Sequence, residues 1–193
     1  VGPRDGLQNE PDIIATEGKL ALIERMIDYG ARRLEVASFV HPQRVPQMAD
    51  AEAVIAGLPD RPDTTYIGLT LNKRGVMRAL ATRERGPQDG KGRGIDQVGC
   101  VLVASDTFGQ KNQGQTIAEG IAENRAMLRF AKAEGMRAQI TISAAFGCPF
   151  EGEVKPATVL AIAEEMAAEG PEEIALADTI GVGTPAQVSE LFG

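Results

Sequence analysis

Short apolar runs alternate with longer amphipathic stretches along the chain. RRLEVASF (32–39), TTYIGLTL (64–71), IDQVGCVLVA (95–104), RAQITISAAF (137–146) and EEIALADT (172–179) are β-leaning. Between them, apolar residues recur at helical spacing. KLALIERMIDYG (19–30) has apolar residues at 20, 23, 26 and 27 and closes on a Gly, a usual helix stop. AEAVIAGL (51–58) is shorter. TIAEGIAENRAMLRFAKAEG (116–135) and ATVLAIAEEMAAEG (157–170) are long and again stop at Gly. TPAQVSELF (184–192) predicts a helix with Thr184 as N-cap and Pro185 in the first turn.

The strand ends fall near residues 39, 71, 104, 146 and 179, at spacings of 32, 33, 42 and 33. Strand, helix, strand at this interval predicts βαβ units and a parallel sheet. A doubly wound sheet would place a Gly-rich phosphate fingerprint after its first strand, and GPRDG is not that fingerprint. A (β/α)₈ barrel instead spreads polar residues over many strand ends. Arg4-Asp5, Glu35 to Ser38, Asn72-Lys73, Ser105-Asp106 and Asp178-Thr179 fit that distribution. The expected fold is therefore α/β, a (β/α)₈ TIM barrel that is incomplete in this chain, read as one partial catalytic domain over 1–193. The pattern shows five strands and a stub before Arg4, whereas such barrels need ~250 residues. A first strand and roughly two closing βα units are expected outside it. TRERGPQDGKGRG (82–94) reads as a surface loop.

Composition narrows the function. The 193 residues are 43% apolar and 24% charged, with a net charge of −7. That balance argues against a nucleic-acid or anionic-membrane surface, which needs clustered Lys and Arg. It leaves room for an anionic small ligand in a local basic pocket. No apolar run approaches a membrane span. Two cysteines, Cys100 and Cys148, make no disulfide framework, so a reducing, cytoplasmic setting is expected.

The densest polar chemistry is VGPRDGLQNE (1–10), expected as a loop leaving a first strand at the catalytic face. Arg4 offers a fixed fork of donors to an oxyanion. Asp5 can bind a divalent cation. The same two residues could simply pair in a polar turn. Glu35 could serve a site or bridge Arg32 or Arg33, and Asp178 could serve a site or cap the turn into GVGTP. Lys111 and Asn112, in GQKNQG (109–114), read by themselves as part of an exposed helix-leading loop. Cys100 and Cys148 read as small buried residues.

VGPRDGLQNE, LEVASFVHPQRVPQMADA (34–51), FGCPFEG (146–152) and LADTIGVGTP (176–185) together resemble the 3-hydroxy-3-methylglutaryl-CoA lyases. These belong to a metal-dependent lyase and synthase group named for its Asp-Arg-Glu constellation on a TIM barrel. The RDG…Q element is shared with isopropylmalate and homocitrate synthases. The SFV-x-P-x-x-VPQM-x-D and GCP-[FY]-EG stretches are closer to the lyases. The resemblance implies a retro-Claisen cleavage: a tertiary alcohol loses its proton, a carbon–carbon bond breaks, and the enolate of acetyl-CoA is protonated. It implies Asp5 as a metal ligand, Arg4 as the stabiliser of the enolate oxygen, and Glu35 as the third member of the constellation. Asp178 joins the catalytic set. Gln8, Ser38, Lys111, Asn112 and Thr179 are the implied substrate contacts. A divalent metal, Mg²⁺ or Mn²⁺, is the implied cofactor, an acyl-CoA the substrate, a second copy of the chain a candidate partner, and leucine catabolism the setting. The group draws two more metal ligands from a His-x-His on the seventh strand and a catalytic Cys from a Gly-rich loop, both expected past Gly193. The single His here is His41, read as a surface residue before Pro42. A condensing synthase and a catalytically silent barrel fragment are the competing readings.

Overall fold

The computed structural model describes residues 2–84 and 92–193. Its elements run α1 (Arg4–Asn9), α2 (Thr16–Asp28), β1 (Arg33–Ser38), a 3₁₀ turn (Pro46–Met48), α3 (Ala51–Gly57), β2 (Thr65–Thr70), α4 (Lys73–Glu84), β3 (Gln97–Val103), α5 (Asp106–Gln113), α6 (Ile117–Ala133), β4 (Arg137–Ser143), α7 (Pro156–Ala167), β5 (Glu173–Leu176) and α8 (Pro185–Phe192). Two compact units divide the chain. One comprises Val1–Gly99 with Glu134–Met136, the other Cys100–Ala133 with Arg137–Gly193.

In the first unit β1 and β2 pair in parallel, from Arg33 opposite Thr65 to Ser38 opposite Leu69, with the register shifting between Glu35 and Ala37. Asp96 then donates its backbone N–H to the Tyr66 carbonyl, which leads into β3. In the second unit Ala104 donates to the Ser143 carbonyl beside β4, and β4 and β5 pair in parallel from Gln139 opposite Glu173 to Ile142 opposite Leu176. Strand order thus follows chain order, β1-β2-β3-β4-β5. A doubly wound sheet reverses direction at a switch point, and the order here has none.

Strands covered on both faces read as near-continuous apolar runs. Every residue of β1 after Arg33 is buried, and so is every residue of β2 after Thr65. The helices contribute single stripes. Lys19, Ile23 and Ile27 are the buried positions of α2, and Val159, Ile162 and Met166 those of α7. Gly30 takes φ +100° just past α2, and its N–H and that of Ala31 cap the Ile27 and Met26 carbonyls. Thr184 and Gln187 form a reciprocal capping box at the start of α8, as the Thr-Pro signal predicts. No helix among the described residues is long and apolar enough to cross a membrane.

Two segments expected as loops are helical. RDGLQN forms α1, in which Leu7 donates its N–H to the Pro3 carbonyl and the Asn9 amide donates to the Asp5 carbonyl. Lys111 and Asn112 lie in the last turn of α5. That helix starts because Ser105 accepts the Phe108 N–H, and it stops at Gly114 in the left-handed region. Of the loop read at 82–94, residues 82–84 close α4, and residues 85–91 lie outside the described residues.

Candidate active site

In the first unit the chain brings four of the sequence-derived residues together. The strand stub before α1 is real, because Pro3 bridges Glu35 in parallel and the Glu35 N–H donates to the Gly2 carbonyl. That pairing delivers Arg4, the first residue of α1, to Glu35, the third residue of β1. Arg4 Nε donates to Glu35 Oε1 at 2.6 Å, and Nη2 stands at 2.6 Å from the same oxygen. Both side chains are buried, at 9% and 4% exposure. A β-bulge beside a site re-aims a side chain, and the register shift after Glu35 falls at this residue.

The remaining Arg4 nitrogen is held more loosely. Nη1 donates to Asp5 Oδ1 at 3.2 Å and to Gln8 Oε1 at 3.3 Å, both long for charge-assisted bonds. Asp5 is half exposed. Ser38, the last residue of β1, is fully buried, and its hydroxyl has no hydrogen-bond partner among the described residues. A buried unpaired hydroxyl costs about 1–3 kcal/mol, so a group that completes it would be favoured there. Among the described residues no cluster of three or more His, Cys, Asp or Glu is arranged to hold a metal. Asp5 can supply one carboxylate ligand of the several that a hard divalent cation requires.

The second unit carries the other candidates. Asp178 follows β5, and its two carboxylate oxygens accept the N–H groups of Val182, at 2.9 Å, and Gly183, at 2.8 Å. The capping role open from sequence is therefore present. The Gly183 and Val182 amides hold the Asp178 carboxyl below its ordinary range. A carboxyl with a depressed pKa stabilises its turn above the unfolded value of 3.8 and loses that contribution as pH falls through the lower folded value. The Val182 and Gly183 amides should accordingly stay protected from hydrogen exchange between pH 5 and 7 and lose protection below about pH 3.8. Unchanged protection down to pH 2 would exclude the carboxylate as their anchor. Thr179 ties β5 to β4, with its Oγ1 2.9 Å from Ser143 Oγ and accepting the Ala144 N–H at 2.8 Å. Ala144 sits at φ +57°, a costly conformation for a non-Gly residue.

The GCPFEG turn grips α5, a role the sequence reading did not assign. Cys148 Sγ lies 3.0 Å from Ser105 Oγ and accepts the Phe150 and Glu151 N–H groups. Glu151 Oε1 accepts the Thr107 N–H at 2.6 Å, and bonding to Thr107 holds that carboxyl below its usual range. Phe150 packs edge-on against Phe108, and the Lys111 ammonium rests 4.6 Å from the Phe150 ring centre. Part of the signal was legible: Ser105 is a favoured N-cap residue type, and the quoted motif carries the carboxylate of Glu151. Cys148 is buried, as expected.

Parallel βα units wound in chain order, with an Arg-Asp pair and a strand-borne Glu at the start, define the class: a partial (β/α)₈ barrel. The HMGL-like family model matches residues 1–193, and the chain belongs to that family. It is 39% identical over 192 residues to a cytoplasmic 3-hydroxy-3-methylglutaryl-CoA lyase of Danio rerio, covering 100% of this chain and 54% of the relative. It is 40% identical over 191 residues to an (R)-citramalyl-CoA lyase of Chloroflexus aurantiacus, covering 99% of this chain and 60% of that protein. A solved HMG-CoA lyase of Acinetobacter baumannii, in complex with coenzyme A and 3-methylmalate, superposes with a TM-score of 0.88 at 32% identity, over 98% of this chain and 58% of that one. The chain thus spans little more than half the length of these relatives. The fold is α/β of the (β/α)₈ barrel class, of which five strands are described here.

Proposed function

We propose that the protein is a carbon–carbon lyase acting on a short branched 3-hydroxyacyl-CoA, with 3-hydroxy-3-methylglutaryl-CoA as the leading substrate. The carrying observation is the division of labour on Arg4. Two of its nitrogens are locked onto a buried carboxylate, which fixes the plane of the guanidinium. The third holds only long bonds to Asp5 and Gln8. A substrate oxygen can replace those weak partners without moving the fork. Such a preorganised donor stabilises charge that develops on the thioester oxygen as the carbon–carbon bond breaks.

The electron pair of that bond passes into the thioester to form the acetyl-CoA enolate, the alcohol carbon becomes a ketone, and the alcohol's proton leaves to a base. Protonation of the enolate carbon completes acetyl-CoA. Asp178 is held ionised by its turn amides, and a depressed pKa makes it a weak base. Its role is that of a permanent acceptor for a substrate hydroxyl. Ser38 offers its unpaired hydroxyl to the acyl portion, and Thr179, three residues past β5 and held by Ser143 and the Ala144 N–H, is a further substrate contact in this proposal. Lys111 and Asn112 on α5 face the coenzyme portion in this proposal, with Lys111 ordered by Phe150. Asp5 supplies one ligand to Mg²⁺ or Mn²⁺. A metal bound there would polarise the substrate hydroxyl and anchor the free carboxylate. A cytoplasmic location and a place in leucine catabolism complete the reading.

The acyl group is the open choice, because relatives of equal similarity act on different acyl chains by name. Offering the full-length protein 3-hydroxy-3-methylglutaryl-CoA and citramalyl-CoA separately, with Mg²⁺, decides it. Acetyl-CoA should form from the first with acetoacetate as co-product. Acetyl-CoA from the second alone would reassign the substrate, and acetyl-CoA from neither would sink the lyase reading.

A further inference from the structure

The VPQM-x-D stretch and the buried Lys19 stand outside this chemistry, yet they form one connected network in the first unit. Lys19 lies inside α2 with its side chain 3% exposed. Its ammonium donates to Asp50 Oδ1 at 2.5 Å and to the Gln47 backbone carbonyl at 2.5 Å. Thr16, at the start of α2, donates its hydroxyl to the other Asp50 oxygen at 2.7 Å. Gln47 in turn donates its side-chain amide to the carbonyl of Glu10 at 2.9 Å. Glu10 is the C-cap of α1. A buried cation therefore reaches, through one glutamine, the far end of the helix that carries Arg4 and Asp5.

The architecture of α1 makes this reach matter. Six residues are too few to hold a helix by themselves, so α1 depends on its anchors. Its first end is anchored by Pro3 and Arg4 on Glu35. At its other end the Asn9 amide closes on the Asp5 carbonyl within the helix, and Gln47 is the partner from outside it, on the C-cap carbonyl. Asp5 and Gln8 sit between the two anchors. If the second lets go, Arg4 stays clamped on Glu35, while the helix can pivot and carry Asp5 and Gln8 away from Arg4 Nη1.

We propose that Gln47 is a positioning residue, held by Lys19 and Asp50, that fixes the pitch of α1 and so the placement of Asp5 and Gln8 against Arg4. In this assignment the VPQM-x-D stretch is a brace for the site helix and makes no substrate contact of its own. The proposal rests on the lyase reading for its kinetic consequence and stands on the fold alone for its structural one.

Gln47→Ala in the full chain tests it, because this change removes the amide to Glu10 and keeps the backbone carbonyl that receives Lys19. Hydrogen exchange of the amides at 6–10 should rise at least about tenfold, with exchange in α2 and β1 unchanged. Mn²⁺ affinity should fall severalfold, and kcat should fall about tenfold with KM nearly constant. Gln47→Glu, which replaces the donor by an acceptor, should match Gln47→Ala, and Lys19→Arg should retain more activity than Lys19→Met. Unchanged exchange at 6–10 overturns the brace whatever the protein catalyses. Faster exchange with unchanged Mn²⁺ affinity overturns the link to Asp5. A wild-type protein that cleaves no acyl-CoA removes the proposed function and leaves the exchange result to decide the brace.

Discussion

Arg4→Lys is expected to leave the protein folded and to reduce kcat by 10²-fold or more. Removal of a single oxyanion donor costs roughly 10²–10³ in kcat in a well-characterised enzyme. Lysine keeps the positive charge against Glu35, so the buried carboxylate is not abandoned. It cannot reproduce a planar fork that bonds Glu35 with two nitrogens and leaves a third directed elsewhere. Arg4→Gln is the less informative change. Breaking a buried ion pair by removing one partner costs about 3–5 kcal/mol, so that variant would lose stability as well as turnover. At about 2–4 °C per kcal/mol for a protein of this size, its melting temperature would fall by roughly 10 °C. Measuring kcat, KM and melting temperature on one Arg4→Lys sample separates the two roles. A transition-state role lowers kcat and leaves KM near the wild-type value. A purely structural Arg4 would give wild-type turnover in Arg4→Lys.

The second large effect is loss of activity on metal removal. Asp5 presents a half-exposed carboxylate that a long bond links to Arg4. Exhaustive chelation of the full-length protein should abolish turnover, and Mg²⁺ or Mn²⁺ should restore it. Asp5→Asn should weaken Mn²⁺ binding by an order of magnitude or more, because it removes the ligand charge while keeping the side-chain shape. Its melting temperature should barely move, since an exposed ion pair to Arg4 is worth about 0–1 kcal/mol. Turnover that survives chelation would remove the metal from the mechanism.

The alternation of strands and helices was legible because period-2 and period-3.6 patterns change along the chain, and for the strands and for α2, α3, α6, α7 and α8 the boundaries fall within a few residues of the observed ones, whereas α4 was not delimited. Barrel winding was legible only indirectly, through polar residues at strand ends. Two things were hidden. RDGLQN looks like a turn because its helix is sustained by distant anchors and not by its own propensity. GQKNQG looks like a loop because four of its six residues are Gly or Gln, and its helix is set by Ser105 upstream. The principal partner of Arg4 was equally hidden. The adjacent Asp5 was the obvious choice, but the tight bonds go to Glu35, 31 positions away, and no local pattern encodes that contact. The motif residues themselves were readable, while the roles of Gln47 and Glu151 as supports required the packed chain.

In the proposed reaction a thioester enolate forms as the carbon–carbon bond breaks. That step is tested most directly by running the full-length protein with 3-hydroxy-3-methylglutaryl-CoA and Mg²⁺ in D₂O and weighing the products. Acetyl-CoA and acetoacetate should form in equal amounts, with one deuterium in the methyl group of acetyl-CoA. Free coenzyme A in place of acetyl-CoA, or acetyl-CoA without deuterium, would contradict it.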